Sequence, residues 1–78
     1  MDRLYAEAHY TSILASDPKR GGMGLALTRA CRGQQSVVAE VFFWDAGGTF
    51  TVETFNSDVP VEIIEELIAE AKHRIPTK

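Results

Sequence analysis

Val37 to Phe55 reads VVAEVFFWDAGGTFTVETF, and this stretch decides how the rest of the chain is organised. Two runs rich in β-branched and aromatic residues, which favour strands, flank residues 45–48. Those four residues, Asp-Ala-Gly-Gly, have the composition of a turn. Two such runs around a glycine-containing turn predict an antiparallel hairpin with strands at about 37–44 and 49–55.

The register of this hairpin decides which side chains share a face, since a slip of one residue sends every side chain to the opposite side. A two-residue turn within residues 45–48 pairs Phe43 with Phe50. A type I turn followed by a bulge shifts the pairing by one residue and places Glu40 beside Val52. Turn chemistry permits both registers, and the hydrophobic pattern favours the first.

Two more segments alternate with a period of two residues and predict further strands. Residues 5–14 favour a strand, although their alanines and glutamate leave a helix as the alternative. Residues 23–31 place large side chains on one side and small ones on the other. The segments are joined by polar or glycine-rich residues of the kind found in turns. The four strands therefore form a meander.

Residues 59–75 carry the pattern of an amphipathic helix. Asp58 is placed to be its N-cap, and Pro76 stops it. Glutamates fill the early turns and basic residues fill the last, which suits the helix dipole. We expect these glutamates to form a solvated face. The predicted apolar stripe is Ile64, Leu67, Ile68, Ala71 and Ile75, with Ile63 at its edge.

The sequence thus predicts an α+β fold, with a four-stranded antiparallel meander followed by one C-terminal helix packed on one sheet face. A single domain spans residues 1–78. The helix covers one face only, which we expect to carry Val37, Ala39, Val41, Phe43, Phe50 and Val52. The opposite face would leave a contiguous apolar patch exposed, which is typical of an interaction surface. Its predicted interface residues are Val38, Phe42, Trp44 and Phe55.

Length and composition narrow the class of protein. The chain has 78 residues, one cysteine and a formal net charge of −3. One cysteine excludes an internal disulfide, and no window approaches the roughly 18 apolar residues of a membrane span. No stretch near Met1 has the apolar core of a signal peptide. We therefore expect a cytoplasmic protein without a membrane partner, and the acidic balance weighs against nucleic acid.

No motif in the chain predicts a catalytic, cofactor or metal site. The basic, glycine-rich residues 19–24 lack the Gly-Lys-Ser/Thr of a phosphate-binding loop. Cys31 has no histidine near it in the sequence, and His9 and His73 lie far apart. We expect no enzymatic activity. The candidate contacts for an anion are Lys19, Arg20, Arg29 and Arg32.

The predicted function is that of a small binding or adaptor module of bacterial type, which forms a homodimer or binds another protein through its aromatic sheet face. Four strands followed by a helix resemble, in element order, the PUR-type repeat, and this resemblance implies single-stranded nucleic-acid binding as an alternative. The stacking residues would then be Tyr10, Phe42, Trp44 and Phe55. A second alternative is a small molecule bound at a dimer seam.

Overall fold

The computed structural model describes residues 1–77 and shows a five-stranded antiparallel sheet followed by one helix. Each strand pairs with the next one along the chain. The predicted α+β class with one C-terminal helix is confirmed, although the sheet has one strand more than predicted. The last residue of the predicted domain, Lys78, lies outside the described residues. The elements are β1 (Asp2–Tyr5), β2 (Ala8–Asp17), β3 (Gly22–Cys31), β4 (Gln34–Trp44), β5 (Thr49–Thr54) and α1 (Val61–Arg74).

The additional strand arises because the segment predicted as one strand, residues 5–14, contains a turn. Ala6 and Glu7 both have positive φ, at 51° and 67°, and they connect β1 to β2. Glycine, asparagine and aspartate are the residues that normally mark such a turn. The segment has none of them at these two positions, so the turn carries no sequence signal. The helical alternative for this segment is wrong.

The register of the β4–β5 hairpin agrees with the first of the two predicted registers. Phe43 lies opposite Phe50 and Val41 opposite Val52. The two phenylalanine rings lie 4.9 Å apart between centroids. The connection has four residues, Asp45 to Gly48, and not the two residues that were predicted. The cross-strand apolar pairs therefore set the register even though the turn is longer.

A β-bulge in β4 changes which side chains reach the core. Leu27 pairs with Ala39 and Thr28 pairs with Val37, so Val38 has no partner on β3. Bulges of this kind turn the bulged strand and change the facing of its side chains. Val38 is fully buried at 0% exposure, and Val37 is 50% exposed. Strict alternation predicted the reverse for both residues.

The core lies between α1 and the central strands. Ile63, Leu67 and Ala71 of the helix are buried, as are Leu25 and Leu27 of β3. Helix α1 contacts β3 and β4. Each fully buried aliphatic side chain contributes about 1.5–3 kcal/mol. The helix therefore fixes one face of the sheet as the inside of the protein.

The beginning of the helix differs from the prediction. It starts at Val61, its N-cap is Pro60 and not Asp58, and no side chain caps it. The N–H groups of Ile63 and Ile64 instead donate to the Pro60 carbonyl, at 3.0 and 3.1 Å. The predicted stripe placed Ile63 at its edge, whereas the structure buries it completely. The helix is therefore rotated slightly from the predicted facing.

The acidic side of α1 contacts β1, although Glu62 and Glu65 stay exposed, so the expected solvated face is confirmed only in part. Tyr5 donates a hydrogen bond to Glu62 at 3.2 Å. Arg3, two residues earlier, forms an ion pair with Glu66, one helical turn later. Two residues of a strand and four of a helix advance by similar distances of about 6–7 Å. Alternate β1 side chains therefore meet successive turns of the helix.

Glu70 continues this series at the end of β1. It accepts hydrogen bonds from Arg74 at 2.6 Å, from the Met1 amino group at 3.0 Å and from Ser12 at 2.9 Å. Partial burial raises the pKa of Glu70, but these three hydrogen bonds outweigh burial and hold the pKa below its usual value. The contacts link β1, β2 and α1 on the helix side.

Candidate functional site

The face of the sheet opposite α1 is covered by none of the described elements, and we call it the outer face. The strand pairings and the alternation of side chains place its residues. They are Asp2, Leu4, His9, Thr11, Ile13, Ala15, Asp17, Gly22, Gly24, Ala26, Thr28, Ala30, Gln35, Val37, Glu40, Phe42, Trp44, Thr49, Thr51 and Glu53.

Three aliphatic side chains stand out from this face. Leu4 on β1 is 76% exposed, Ile13 on β2 is 62% exposed, and Val37 on β4 is 50% exposed. The residues of β3 between them, Ala26 and Thr28, have short side chains. The middle of the outer face is therefore a shallow depression, and longer aliphatic side chains project on both sides of it. Sequence reasoning missed all three of these residues as surface candidates, because the bulge and the additional strand were not predicted.

The four predicted interface residues do not lie together on an open surface. Val38 is in the core, because the bulge turns it inward. Phe42 is on the outer face but only 2% exposed. Trp44 is half-buried, and Phe55, which follows β5, is 38% exposed. Of these four residues, only Trp44 and Phe55 therefore present accessible aromatic surface.

Phe42 is covered by an arginine from the same chain. The Arg20 guanidinium carbon lies 4.0 Å from the centroid of the Phe42 ring. Its Nη1 and Nη2 atoms donate to the two Glu40 carboxylate oxygens at 3.0 and 2.9 Å. Its Nε atom donates to Asp17 at 2.8 Å. Arg20 therefore combines a cation–π contact with a bidentate ion pair on the outer face.

This arrangement also explains how Glu40 is tolerated directly opposite Glu53. Like charges in such a pair destabilise a sheet, and a cation nearby relieves the repulsion. Arg20 supplies this cation within the chain. The hydrogen bonds of Arg20 to Glu40, and to a smaller extent to Asp17, raise the pKa of Arg20. The hydrogen bond from Arg20 holds the pKa of Asp17 below its usual value.

Trp44 extends the aromatic cluster towards β5. Its ring lies 4.6 Å from that of Phe42 in an edge-to-face arrangement. Its indole N–H donates to Thr51 at 2.9 Å. Both rings are therefore oriented by contacts inside the chain and form one cluster with Arg20.

Glycines of β3 make room for this cluster. A Cβ atom at Gly24 would lie 2.3 Å from Glu40 Oε2 and 3.1 Å from Phe42 Cδ1. A Cβ atom at Gly22 would lie 2.7 Å from Phe42 Cε2. Glycine in a strand often marks the close approach of a neighbouring group. The glycine-rich stretch that superficially resembled a phosphate loop therefore serves to pack an aromatic ring.

The predicted anion contacts are dispersed over the molecule. Arg20 is paired with two carboxylates. Arg29 lies on the helix side of the sheet, where its Nη1 donates to the Asp58 carbonyl at 2.9 Å. Lys19 is exposed in the β2–β3 connection, and Arg32 is exposed in the β3–β4 turn. The four cations therefore do not converge on one anion.

The stacking platform of the nucleic-acid alternative is also divided. Tyr10 lies on the helix side and is only 2% exposed, whereas Phe42 is covered by Arg20 on the other side. The structure does not bring these two rings to one surface.

The two histidines lie on different elements. His9 is on β2 and contacts Asp2 of β1, whereas His73 is on α1. Among residues 1–77, no three potential metal ligands of the histidine, cysteine or acidic type form a group.

We expect Arg20→Gln to loosen the cluster and to raise the pKa of Asp17 towards its ordinary value of 3.8. A carboxyl whose pKa is lowered by folding stabilises the folded state above its ordinary pKa, and this contribution is lost as the pH falls through the lowered value. The stability difference between the two proteins should therefore be present at neutral pH and shrink in acid.

A carbon-detected NMR titration of Asp17 and denaturation at several pH values measure the two effects. Lys19→Gln removes the same charge one residue away and is the matched control. An unchanged Asp17 pKa in Arg20→Gln, or an equal shift in Lys19→Gln, would contradict the assignment.

Within the described part of the chain, the one helix is too short and too polar to cross a bilayer. Comparison of the chain with models of known protein families, with curated proteins and with solved structures found no match.

Proposed function

We propose that this protein is a small, non-enzymatic binding module that forms a homodimer through its outer face. The observation that carries the proposal is the exposure of Leu4, Ile13 and Val37 on a sheet face that no element of the described chain covers. The surface is centred on aliphatic side chains and not on the aromatic residues that the sequence indicated. A cytoplasmic location belongs to the proposal, because small secreted domains usually rely on several disulfides, and this chain has one cysteine.

The size of the outer face supports a partner of similar size. Strands spaced about 4.8 Å apart, with about 3.3 Å per residue, give the five strands a flat area of roughly 650 Å². A standard protein interface buries about 800 Å² on each partner, counted with the relief of the side chains. The whole face is therefore about as large as one side of a stable interface.

The shape of the outer face suits a second sheet. Two sheets pack about 10 Å apart when their facing side chains interdigitate. Ala26 and Thr28 leave a low strip along β3 into which Ile13 or Val37 of a second copy fits. A two-fold axis through this strip brings the same patch of both copies together.

The charges of the outer face support association. Glu40 is paired with Arg20, and Asp2 contacts His9. An unpaired charge buried at an interface would cost several kcal/mol. Because Glu40 and Asp2 already have partners inside the chain, a second apolar face can approach them with a smaller loss of hydration. Glu53 is exposed on the edge strand β5, where it would lie at the rim of the interface.

Ile13→Glu is expected to convert the dimer into a monomer. It places a charge at the centre of the outer face, where a dimer would bury it, while Ile13 is exposed enough for the monomer to tolerate the change. We expect the dissociation constant to rise by at least about a hundredfold, which corresponds to about 3 kcal/mol. Size-exclusion chromatography with light scattering measures the mass.

Val61→Glu is the matched control, since Val61 is 66% exposed but lies on α1. It should leave the dimer intact. A dimer that survives Ile13→Glu but is lost in Val52→Pro would place the interface at the β5 edge and contradict the proposal. A wild-type monomer would do the same and would direct the search to a different protein partner.

A further inference from the structure

A pocket lies on the helix side of the sheet, at the end where the β1–β2 and β3–β4 turns are found. It has a volume of about 370 Å³. Ligand pockets in proteins range from about 300 to 1,000 Å³, so it is large enough for a small molecule. The pocket is on the opposite side of the sheet from the proposed dimer interface. It is lined by side chains of Tyr10, Arg29, Cys31, Gln34 and Ser36, with Ala6 and Ala8 as its apolar part.

The lining has the chemistry of an anion site. Arg29 is its one charged residue, and no carboxylate is among the lining residues. The phenol of Tyr10, the amide of Gln34 and the hydroxyl of Ser36 are all able to donate hydrogen bonds. An anion entering the pocket would therefore meet a cation and several donors without meeting a negative side chain.

Arg29 is held in position at this pocket. Its Nη1 donates to the Asp58 carbonyl at 2.9 Å, which ties the guanidinium to the segment before α1. A guanidinium has five N–H donors, so this bond uses a minority of them. The remaining geometry suits carboxylate or phosphate oxygens, which arginine binds through two parallel hydrogen bonds.

We propose that this pocket binds a small organic anion whose carboxylate or phosphate group pairs with Arg29. Ala6 and Ala8 contact the hydrocarbon part of the ligand, and Gln34 and Ser36 donate to its polar group. The inference is independent of the proposed dimer, because it rests on residues of the other sheet face.

Cys31 provides a direct test, because it is the one cysteine of the chain and it lines the pocket. Iodoacetate and iodoacetamide alkylate the same thiolate, which attacks the methylene carbon and releases iodide. They differ in that iodoacetate carries a carboxylate and iodoacetamide is neutral. The ratio of their two rates therefore reports carboxylate recognition. The fraction of thiolate affects both rates equally, so it does not change this ratio.

We expect the iodoacetate-to-iodoacetamide ratio to be about fivefold higher in the folded chain than in the same chain unfolded in urea. A fivefold higher ratio corresponds to the attraction of about one ion pair at 4 Å in water. Arg29→Gln should return the ratio to that of the unfolded chain. Arg32→Gln, which removes an equal charge in the adjacent turn, should retain most of the increase. Ile13→Glu should retain all of it, whether or not the protein is a dimer.

A competition experiment on the wild-type chain tests the site without relying on the folding of Arg29→Gln. Inorganic phosphate or acetate, added at constant ionic strength against chloride, should slow the reaction of Cys31 with neutral iodoacetamide. The anion that protects at lower concentration identifies the preferred group. Equal ratios in folded and unfolded chains, equal losses in Arg29→Gln and Arg32→Gln, or no protection by either anion would each overturn the proposal.

Discussion

Val38→Asp is expected to remove about half of the protein's free energy of unfolding or more, whereas Val37→Asp is expected to leave it nearly unchanged. Val38 is fully buried against the core, and Val37 is half exposed on the outer face. A carboxylate buried without a partner costs several kcal/mol, even when it is protonated to avoid the charge. At about 0.05–0.15 kcal/mol per residue, a chain of 78 residues has a total stability of about 4–12 kcal/mol, so Val38→Asp removes about half of it or more.

Thermal and urea denaturation followed by circular dichroism measure this pair of variants. Both are best made in the Ile13→Glu background, so that association of the outer face does not contribute to stability. Val37→Asp should change the free energy of unfolding by less than about 1 kcal/mol. Similar losses in the two variants would contradict the bulge in β4, and a larger loss at Val37 would show that strict alternation holds.

Gly22→Ala is expected to have the second large effect, a loss of about 3 kcal/mol or more. A Cβ atom at Gly22 would lie 1.9 Å from the carbonyl oxygen of Phe43 on the neighbouring strand. Overpacking usually costs 1–3 kcal/mol, and the cost is greater here because the obstructing atom belongs to the backbone. The Gly22–Trp44 pair lies at the end of β3, so the strands would have to separate there.

Gly47→Ala is the control for this substitution. Gly47 lies in an exposed turn, and the nearest atom to its added Cβ would be Thr49 Oγ1 at 3.3 Å, which is the end of a side chain. We expect its free energy of unfolding to stay within about 1 kcal/mol of wild type. Urea denaturation measures the free energy of unfolding of both variants. Equal effects at Gly22 and Gly47 would mean that β3 and β4 do not approach as closely as described.

The parts of the fold that sequence predicts well are those with strong local patterns. The helix follows from a repeat of apolar residues ended by Pro76. The β4–β5 hairpin follows from the alternation on both sides of a glycine-containing turn, and the pairing of Phe43 with Phe50 agrees with the prediction. In both cases the information lies within about 20 residues of the chain.

The features that escaped prediction depend on contacts between distant residues or on unusual backbone. The turn at Ala6 and Glu7 uses positive φ without glycine or asparagine. The bulge at Val38 depends on how β3 pairs with β4. A strictly alternating pattern contains neither feature, and together they determine which aliphatic residues reach the outer face.

The candidate site was affected in the same way. Phe42 is of a residue type that is common at interfaces, but Arg20 from the β2–β3 connection covers it. The pairing of Arg20 with Glu40 joins residues 20 apart, and no local rule selects Arg20 over Lys19 for this role. The pocket around Arg29 likewise forms only when the ends of three strands meet. Sequence reasoning placed Phe42 and Trp44 on the face opposite the helix, as the structure does, but it missed Leu4, Ile13 and Val37 on the same face.

The most direct test of the account is sedimentation equilibrium of the unmodified chain over a wide range of concentrations. The proposal predicts a mass of twice 8.6 kDa that persists on dilution to the micromolar range and falls to that of a single chain in Ile13→Glu. A mass of 8.6 kDa at every concentration would show that the outer face does not bind a second copy, and it would contradict the proposed function.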